Sequence, residues 1–257
     1  MSKSPTKRAK LPAGHDGFLS GHNDAIQKSL NRQPRGSYCP MCGSHVDAFR
    51  DGGVRRQRKN SKCQACGSLE RHRLFWIYFV NHVWPQLPAG RKSLLHVAPE
   101  PVFTSLLSNN PEIDYLSGDL FMESAMIRLD LTDIQFKDNV FDIIICSHIL
   151  EHIPDDRKAM QEMQRVLKPG GAALIMVPTS GAKTYEDFSI TAPEERLVHF
   201  GQEDHVRKYG FDIVGRLEAC GLTVRTWPQE GELDPDIMEI ISSGRRVVFD
   251  CRKPANP

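Results

Sequence analysis

A parallel sheet with both faces covered is predicted by the run Phe141-Asp-Ile-Ile-Ile-Cys-Ser-His-Ile-Leu-Glu-His-Ile153. Its first six residues are largely β-branched, which is typical of a central parallel strand. Asp155 to Leu167 follow with apolar residues at helical spacing, and Lys168-Pro-Gly-Gly171 is a helix terminator. Ala172 to Val177 then read as a second buried strand. Strand, helix and strand in this order indicate an α/β protein.

The same alternation extends in both directions along the chain. Upstream we predict a strand over Ser93 to Ala98, a helix over Val102 to Leu107, and short strands over Tyr115 to Asp119 and Ile127 to Asp130. Downstream we predict a helix over Val206 to Cys220 and an antiparallel strand pair over Leu222 to Trp227 and Arg245 to Cys251. Together these elements predict a doubly wound, mostly parallel sheet.

Composition and charge describe an ordinary globular chain with two unlike halves. Of its 257 residues, 40% are hydrophobic and 25% charged. Residues 1–92 carry 17 Lys and Arg against 5 Asp and Glu, whereas residues 93–257 carry 16 against 27. This asymmetry indicates either two modules with different surfaces or a solvated basic tail. No apolar run approaches the roughly 20 residues that span a bilayer, so we expect no membrane segment and no signal peptide, and a cytoplasmic protein.

Two near copies of one short motif contain four of the seven cysteines. They are Cys39-Pro-Met-Cys-Gly-Ser44 and Cys63-Gln-Ala-Cys-Gly-Ser68. Each C-x-x-C turn brings two thiolates to one side of a bend, and the glycine after it permits the positive φ that the bend requires. The spacing therefore predicts a structural, tetrahedral zinc site. Its ligands would be Cys39, Cys42, Cys63 and Cys66.

Several smaller features of this module have competing interpretations. His45 and His72 are alternative ligands, although a packing or surface role is the simpler interpretation. The loop between the motifs is basic, so it would suit the phosphates of RNA or merely be solvated. Its basic residues are Arg55, Arg56, Arg58, Lys59 and Lys62. The single cysteines Cys146, Cys220 and Cys251 are expected to be small buried apolar residues.

The run 141–153, followed by Glu162-Met-Gln-Arg-Val-Leu-Lys-Pro-Gly-Gly171, closely resembles the fourth and fifth motifs of class I S-adenosylmethionine (SAM) dependent methyltransferases of the small-molecule type. The resemblance covers roughly residues 93–179. It implies a seven-stranded Rossmann-like sheet with SAM as cofactor. It also implies that Asp119 holds the ribose hydroxyls, that Asp130 and Leu131 contact adenine, and that Ser147 lies where methyl donor and acceptor meet.

The first motif departs from the common form of that family. Leu94-Leu-His-Val-Ala-Pro-Glu100 stands where a glycine-rich loop usually approaches the methionine part of SAM. The resemblance assigns cofactor contacts here to His96, Ala98 and Glu100. The chain also resembles a bacterial-type subfamily that combines the cysteine motifs with this His-x-Ala-Pro-Glu segment. The shared features include Gly67-Ser-Leu-Glu-Arg-His-Arg73 and the segment Phe200 to Gly210.

Three histidines are candidates for catalysis. His148 and His152 follow the fourth strand of the motif, and His205 lies in a polar cluster further along the chain. A base is needed only when the methyl acceptor carries a proton. For His152 an orienting role is the alternative, and for the polar cluster a solvated helix start. A flexible stretch over residues 179–195 precedes the polar cluster, and we expect the two together to form a lid or a substrate-binding segment. The cluster consists of Gln202, Asp204, His205, Arg207 and Tyr209, and Arg207 would suit an anionic acceptor.

These features predict the following organisation. We expect a disordered basic tail over residues 1–35, a four-cysteine zinc-binding module over 36–70, a connecting helix and linker over 71–90, and a SAM-dependent methyltransferase domain over 91–253. The expected function is methyl transfer to a small-molecule, sugar or peptide acceptor. The alternatives are an RNA methyltransferase and a non-catalytic SAM-fold binding protein. The sequence does not predict the acceptor atom or the oligomeric state.

Overall fold

The computed structural model describes residues 37–53, 57–229, 232, 241 and 246–255. The predicted basic tail, together with Arg55 and Arg56 of the basic loop, lies outside these residues. No helix in the described ranges combines the length and apolar character needed to cross a bilayer.

The elements follow the alternation expected from the sequence. The strands are β1 (Ser37–Tyr38), β2 (His45–Val46), β3 (Arg50–Gly52), β4 (Arg58–Lys62), β5 (Lys92–Val97), β6 (Ile113–Asp119), β7 (Ile127–Arg128), β8 (Phe141–Ser147), β9 (Leu167–Met176), β10 (Tyr185–Glu186), β11 (Arg207–Lys208), β12 (Thr223–Trp227) and β13 (Val248–Arg252). The α-helices are α1 (Glu70–Tyr78), α2 (Pro101–Leu107), α3 (Asp156–Val166), α4 (Pro193–Phe200) and α5 (Ile213–Glu218). The described residues also form a π-helical turn, Phe79–Val83, and two 3₁₀ turns, Trp84–Gln86 and Leu150–His152.

The seven-stranded sheet has the order β12-β13-β9-β8-β5-β6-β7 among the described residues. The pairs from β9 to β7 are parallel, whereas β13 is antiparallel to both β9 and β12. This confirms the predicted doubly wound α/β sheet and its terminal antiparallel pair. The strand order reverses between β5 and β8, and in such sheets ligands bind beyond the carboxyl ends of the strands at that point.

The β-branched run in β8 is explained by two separate apolar clusters. Ile143 and Ile145 face one cluster, while Ile144 and Cys146 face the other, and all four are fully buried. A parallel strand covered by helices on both sides has no polar face, so its sequence shows no alternation. Cys146 and Cys251 are buried as predicted, but Cys220 is only partly buried.

The predicted connecting helix is part of the core. The rings of Phe75 and Phe103 lie 4.9 Å apart, and those of Tyr78 and Trp227 lie 5.0 Å apart. The hydroxyl of Tyr78 also donates to Asp250 Oδ2 at 2.8 Å. Helix α1 therefore packs against one face of the sheet, and the apolar residues of the cysteine module join the same cluster.

Two sequence predictions of local structure were wrong. We predicted that strand β9 would begin at Ala172, but it begins at Leu167, immediately after α3. The reason is that Leu167 already pairs with Phe141 on β8, across a register shift. Residues 206–212 are not helical, and the helix begins only at Ile213. There Arg207 and Lys208 form a short ribbon with β10, since Arg207 is buried among fixed acceptors described below.

Candidate functional site

The four paired cysteines meet at one point. Their ligand atoms all lie within 4.8 Å of one another. Cys39 Sγ lies 3.7 Å from Cys66 Sγ, and Cys42 Sγ lies 3.9 Å from Cys63 Sγ. A zinc ion bonded to four sulfurs at about 2.3 Å requires them to be about 3.8 Å apart. The sulfur positions therefore fit a closed tetrahedral site.

Both cysteine motifs adopt the same backbone turn. The amide of Gly43 donates to Cys39 O at 2.9 Å, and the amide of Gly67 donates to Cys63 O at 2.9 Å. Gly43 and Gly67 have φ values of 70° and 75°, the left-handed conformation predicted for these glycines. Identical turns thus present two pairs of sulfurs to each other.

Neighbouring polar residues hold this module against the sheet rather than joining the thiol group. His72 accepts from the Leu69 amide through Nδ1 at 3.1 Å, and its Nε2 lies 2.8 Å from Glu100 Oε1. His45 is exposed and packs beside Tyr38. Arg58 pairs with the buried Glu70, so the guanidinium of this loop residue binds within the protein rather than a phosphate.

A cavity of about 490 Å³ opens at the carboxyl ends of the parallel strands. Val97, Leu129 and Ile149 provide apolar walls from three different strand ends. Asp119, Asp130 and Leu131, three of the residues predicted to hold the cofactor, also line it. Gly118 allows this close arrangement, since a Cβ there would lie 2.7 Å from Leu129 Cβ.

Both carboxylates in the cavity wall use one oxygen to build their own turn. Asp119 Oδ1 accepts from the amides of Phe121 and Met122 at 2.7 and 2.6 Å. Asp130 Oδ1 accepts from the amide and the hydroxyl of Thr132 at 2.8 and 2.7 Å. Within the described ranges Oδ2 of each aspartate has no protein donor. Each side chain is therefore oriented by the protein and retains an acceptor for a ligand.

The three predicted contacts in the first loop have mainly internal partners. His96 is fully buried, its Nδ1 lies 2.9 Å from the Tyr115 hydroxyl, and burial lowers its pKa to about 4. Ala98 adopts a left-handed φ of 47°, and its amide donates to Gly118 O at 2.9 Å. His96, Ala98 and Glu100 are all absent from the cavity wall.

Glu100 connects this loop to the cysteine module. Its Oε1 accepts from Arg71 Nη2 at 2.7 Å and lies 2.8 Å from His72 Nε2. Burial alone would raise the pKa of Glu100, but the hydrogen bond from His72 and the charge of Arg71 lower it to about 2. Glu100 therefore brings two segments of the resemblance into direct contact, namely Gly-Ser-Leu-Glu-Arg-His-Arg and His-x-Ala-Pro-Glu.

The three candidate catalytic histidines lie close together at the end of β8. His148 Nδ1 is 3.3 Å from Glu151 Oε1, and the rings of His152 and His205 meet edge to face with centroids 4.6 Å apart. Only His152 of the three lines the cavity, while the side chain of Ser147 is buried. Burial also lowers the pKa of His205.

Arg207 is not available to an anionic acceptor, contrary to our expectation. It is 1% exposed, and its Nε donates to Glu186 Oε2 at 2.9 Å. Its terminal nitrogens donate to three backbone oxygens, those of Leu150, Ile153 and Pro154. Arg207 thus fastens residues 179–210, which we call the lid segment, to the turn after β8.

Three features of this site were missed from the sequence. Glu151 is buried beside all three candidate histidines, and its only sequence signal was its position directly before His152. Thr132 orients Asp130, and its proximity in sequence could have suggested this. The contact of Glu100 with Arg71 and His72 had no sequence signal, since 28 or more residues separate the partners.

Comparison with known proteins identifies one matching family. Residues 105–175, from α2 into β9, match the family described as "Methyltransferase domain". The chain is 40% identical over 125 residues to a demethylmenaquinone methyltransferase of Clavibacter sepedonicus, covering 46% of this chain and 45% of that protein. It is 30% identical over 112 residues to a ubiquinone/menaquinone biosynthesis C-methyltransferase of Haemophilus ducreyi, covering 42% and 39%.

Among solved structures, the Burkholderia thailandensis 1,6-didemethyltoxoflavin-N1-methyltransferase superposes with a TM-score of 0.47 at 13% identity. The superposition covers 72% of this chain and 78% of that one. The chain spans half or less of the length of the curated relatives that it matches.

Proposed function

Because this chain contains a class I SAM-dependent methyltransferase domain, we propose that it transfers the methyl group of SAM to a small-molecule acceptor. The observation that carries the proposal is the pair of oriented carboxylates, Asp119 and Asp130, in the wall of one cavity at the switch point of the sheet. Their apolar neighbours suit an adenine ring, and their unused oxygens suit hydroxyl and amine donors.

The residues that would hold SAM are those of the cavity wall. Asp119 would accept from the ribose hydroxyls and Asp130 from the adenine amine, while the backbone of Leu131 would also contact adenine. The bound cofactor supplies a methyl group on a sulfonium, which is lost to a nucleophile by in-line displacement. The chain's own contribution is to align the acceptor and to exclude water.

The acceptor would enter beside the end of β8. The exposed apolar side chain of Phe121 lines the same cavity, which suits an acceptor with an apolar body. A protonated acceptor also needs a base, and the histidines at positions 148, 152 and 205 provide the candidates there. Reported substrates of the relatives, which act in quinone biosynthesis by name, are compatible with such an acceptor.

We also assign a structural zinc ion to the four thiols of the cysteine module. Its support is the fit of the sulfur spacing to a tetrahedral site. The module then acts as a brace for α1 and the first loop. A cytoplasmic location remains a prediction.

Calorimetry with SAM and with S-adenosylhomocysteine tests the cofactor site. Asp119→Asn retains Oδ1 for its turn but removes the charged acceptor, so we expect roughly 10- to 100-fold weaker binding. Asp133→Asn, an exposed neighbour outside the cavity wall, is the matched control and should bind as the unchanged protein does. Absence of binding at millimolar cofactor would contradict the proposal.

A screen for S-adenosylhomocysteine release then tests the acceptor class. Product formation with fractionated small metabolites is the expected result. Formation only with RNA would replace the small-molecule proposal by an RNA methyltransferase. Cofactor binding without turnover in either pool would favour the non-catalytic alternative.

A further inference from the structure

A second group of metal-ligating side chains lies between the sheet and the lid segment. Glu151 and His152 come from the turn after β8, and His205 comes from the lid. One ligand atom of each lies within 4.8 Å of the others. The amide of Val206 donates to Glu151 O at 2.9 Å, which holds the two segments together. We call these three residues the Glu-His-His cluster.

Two polar atoms of this cluster are buried without a partner. Glu151 Oε2 and His205 Nε2 have no hydrogen-bond partner among the described residues. Glu151 is 1% exposed and His205 is 4% exposed. A buried polar atom without a partner destabilises the folded state, and more so when the group is charged. A cation between them would satisfy both atoms at once.

The neighbouring groups hold the imidazoles in a metal-binding tautomer. His205 Nδ1 lies 3.3 Å from Phe200 O, which can only accept, so Nδ1 carries the proton and Nε2 keeps its lone pair. His152 Nδ1 lies 3.2 Å from Asp204 Oδ2, which orients this ring in the same way. Histidines that bind metals commonly donate their second ring N–H to a backbone carbonyl or a carboxylate.

We propose that Glu151, His152 and His205 bind a divalent transition-metal ion. Two imidazoles and one carboxylate suit Zn²⁺, Fe²⁺, Co²⁺ or Ni²⁺ better than Mg²⁺ or Ca²⁺. Three protein ligands leave coordination positions open, in contrast to the closed group of four thiols. Since His152 and Asp204 line the cavity, the open positions face the space beside the cofactor residues.

A role for this ion follows if the proposed function is correct. A metal at this position would bind an anionic oxygen of the acceptor, such as a phenolate or enolate oxygen, and hold it by charge. The metal site itself does not depend on methyl transfer.

Cobalt binding tests the site in the full-length, untagged protein. Protein as purified, with its thiol site filled, is dialysed against Co²⁺ and its metal content is measured. We expect about one further equivalent per chain, with the weak visible absorption of nitrogen and oxygen ligands. Exchange into the thiol site is recognised separately by intense thiolate-to-cobalt charge transfer.

Substitutions locate the extra equivalent. Glu151→Gln keeps the shape of the side chain and His152→Ala alters a partly exposed one, so both variants should fold. Each should bind Co²⁺ at least about 10-fold more weakly than the unchanged protein. His199→Ala, which alters an exposed histidine of the lid, is the matched control and should retain full affinity.

Thermal unfolding gives a readout that does not depend on stoichiometry. Co²⁺ should raise the melting temperature of the unchanged protein and of His199→Ala, but not that of the two cluster variants. Equal binding by all four proteins, or no additional equivalent at millimolar Co²⁺, would overturn the proposal and leave a metal-free acid–base cluster. Cobalt binding without SAM binding would sustain this site while rejecting the proposed methyl transfer.

Discussion

The cysteine module and the lid segment are both attached to the sheet, but by different forces. Tyr38, Met41 and Phe49 of the module belong to the apolar cluster that covers one sheet face. The lid instead exposes Tyr185, Phe188, Leu197 and Val198, although Tyr209 at its end is buried in the apolar cluster of the other sheet face. Its contacts with the turn after β8 include three hydrogen bonds from the buried guanidinium of Arg207. Apolar burial is non-directional, whereas a guanidinium needs its acceptors in fixed positions. The module is therefore a brace and the lid a part positioned by polar contacts.

Removing a thiolate should produce the largest change and tests whether the module supports the whole domain. Zinc binding contributes on the order of 10 kcal/mol to the folding of small zinc modules. Because the module shares its core with the sheet, we expect Cys63→Ser to lose zinc and to unfold the domain cooperatively at a much lower temperature. Circular dichroism melting and metal analysis measure both effects.

The matched control for this substitution is Cys220→Ser, at a single, partly exposed cysteine. It should keep the metal and nearly the same melting temperature. A Cys63→Ser protein that loses its metal but melts like the unchanged chain would show that the module is not a brace, and the contrast with the lid would disappear.

Substitution of Arg207 should produce the next largest effect and tests the polar attachment of the lid. Arg207→Met removes one of the two arginine partners of Glu186 and takes the guanidinium donors away from three backbone oxygens. Breaking a buried ion pair costs about 3–5 kcal/mol, and Arg216, which also pairs with Glu186, should keep the loss near the lower value. Urea unfolding measures the loss, and limited proteolysis should show cleavage within residues 179–210.

Lys208→Met serves as the control, because the adjacent Lys208 is exposed on the same short strand. Its stability and proteolysis pattern should match those of the unchanged protein. If both variants unfolded alike, the lid would be attached by something other than Arg207.

The smallest expected effect concerns the link between the module and the first loop. The pKa of Glu100 is about 2, below its ordinary value of 4.5. A depressed carboxyl pKa gives stability that is present above 4.5 and is lost as the pH falls toward 2. Glu100→Gln should therefore cost about 2 kcal/mol at pH 7, and the difference should shrink steadily below pH 4.5.

Urea unfolding at pH 7, 4 and 3 measures this convergence. Glu123→Gln, at an exposed position, should show no loss at any of these pH values. A stability difference for Glu100→Gln that stayed constant from pH 7 to pH 3 would mean that Glu100 acts by shape and not by charge, and the module would then be joined to the loop by packing alone.

Most elements of the fold were predictable because their signals are local. The cysteine turns repeat within a few residues, and the buried strands β5, β8 and β9 lack polar alternation because helices cover both faces. The helix predicted over residues 206–220 was wrong at its start for the opposite reason. The conformation of its first residues is determined by long-range contacts, because the guanidinium of Arg207 donates to backbone oxygens more than 50 residues away.

The same distinction separates the two halves of the cavity region. Asp119 and Asp130 could be located from the sequence, since Asp119 ends β6 and Asp130 lies two residues after β7. Each is oriented through residues two or three positions away. The Glu-His-His cluster, the burial of Arg207 and the bond from Glu100 to the cysteine module appeared only when the chain was folded. Local spacing determines which turns a segment can form. Which distant side chains meet depends on the packing of the whole sheet with its helices, because a partner more than 25 residues away leaves no periodicity in the sequence.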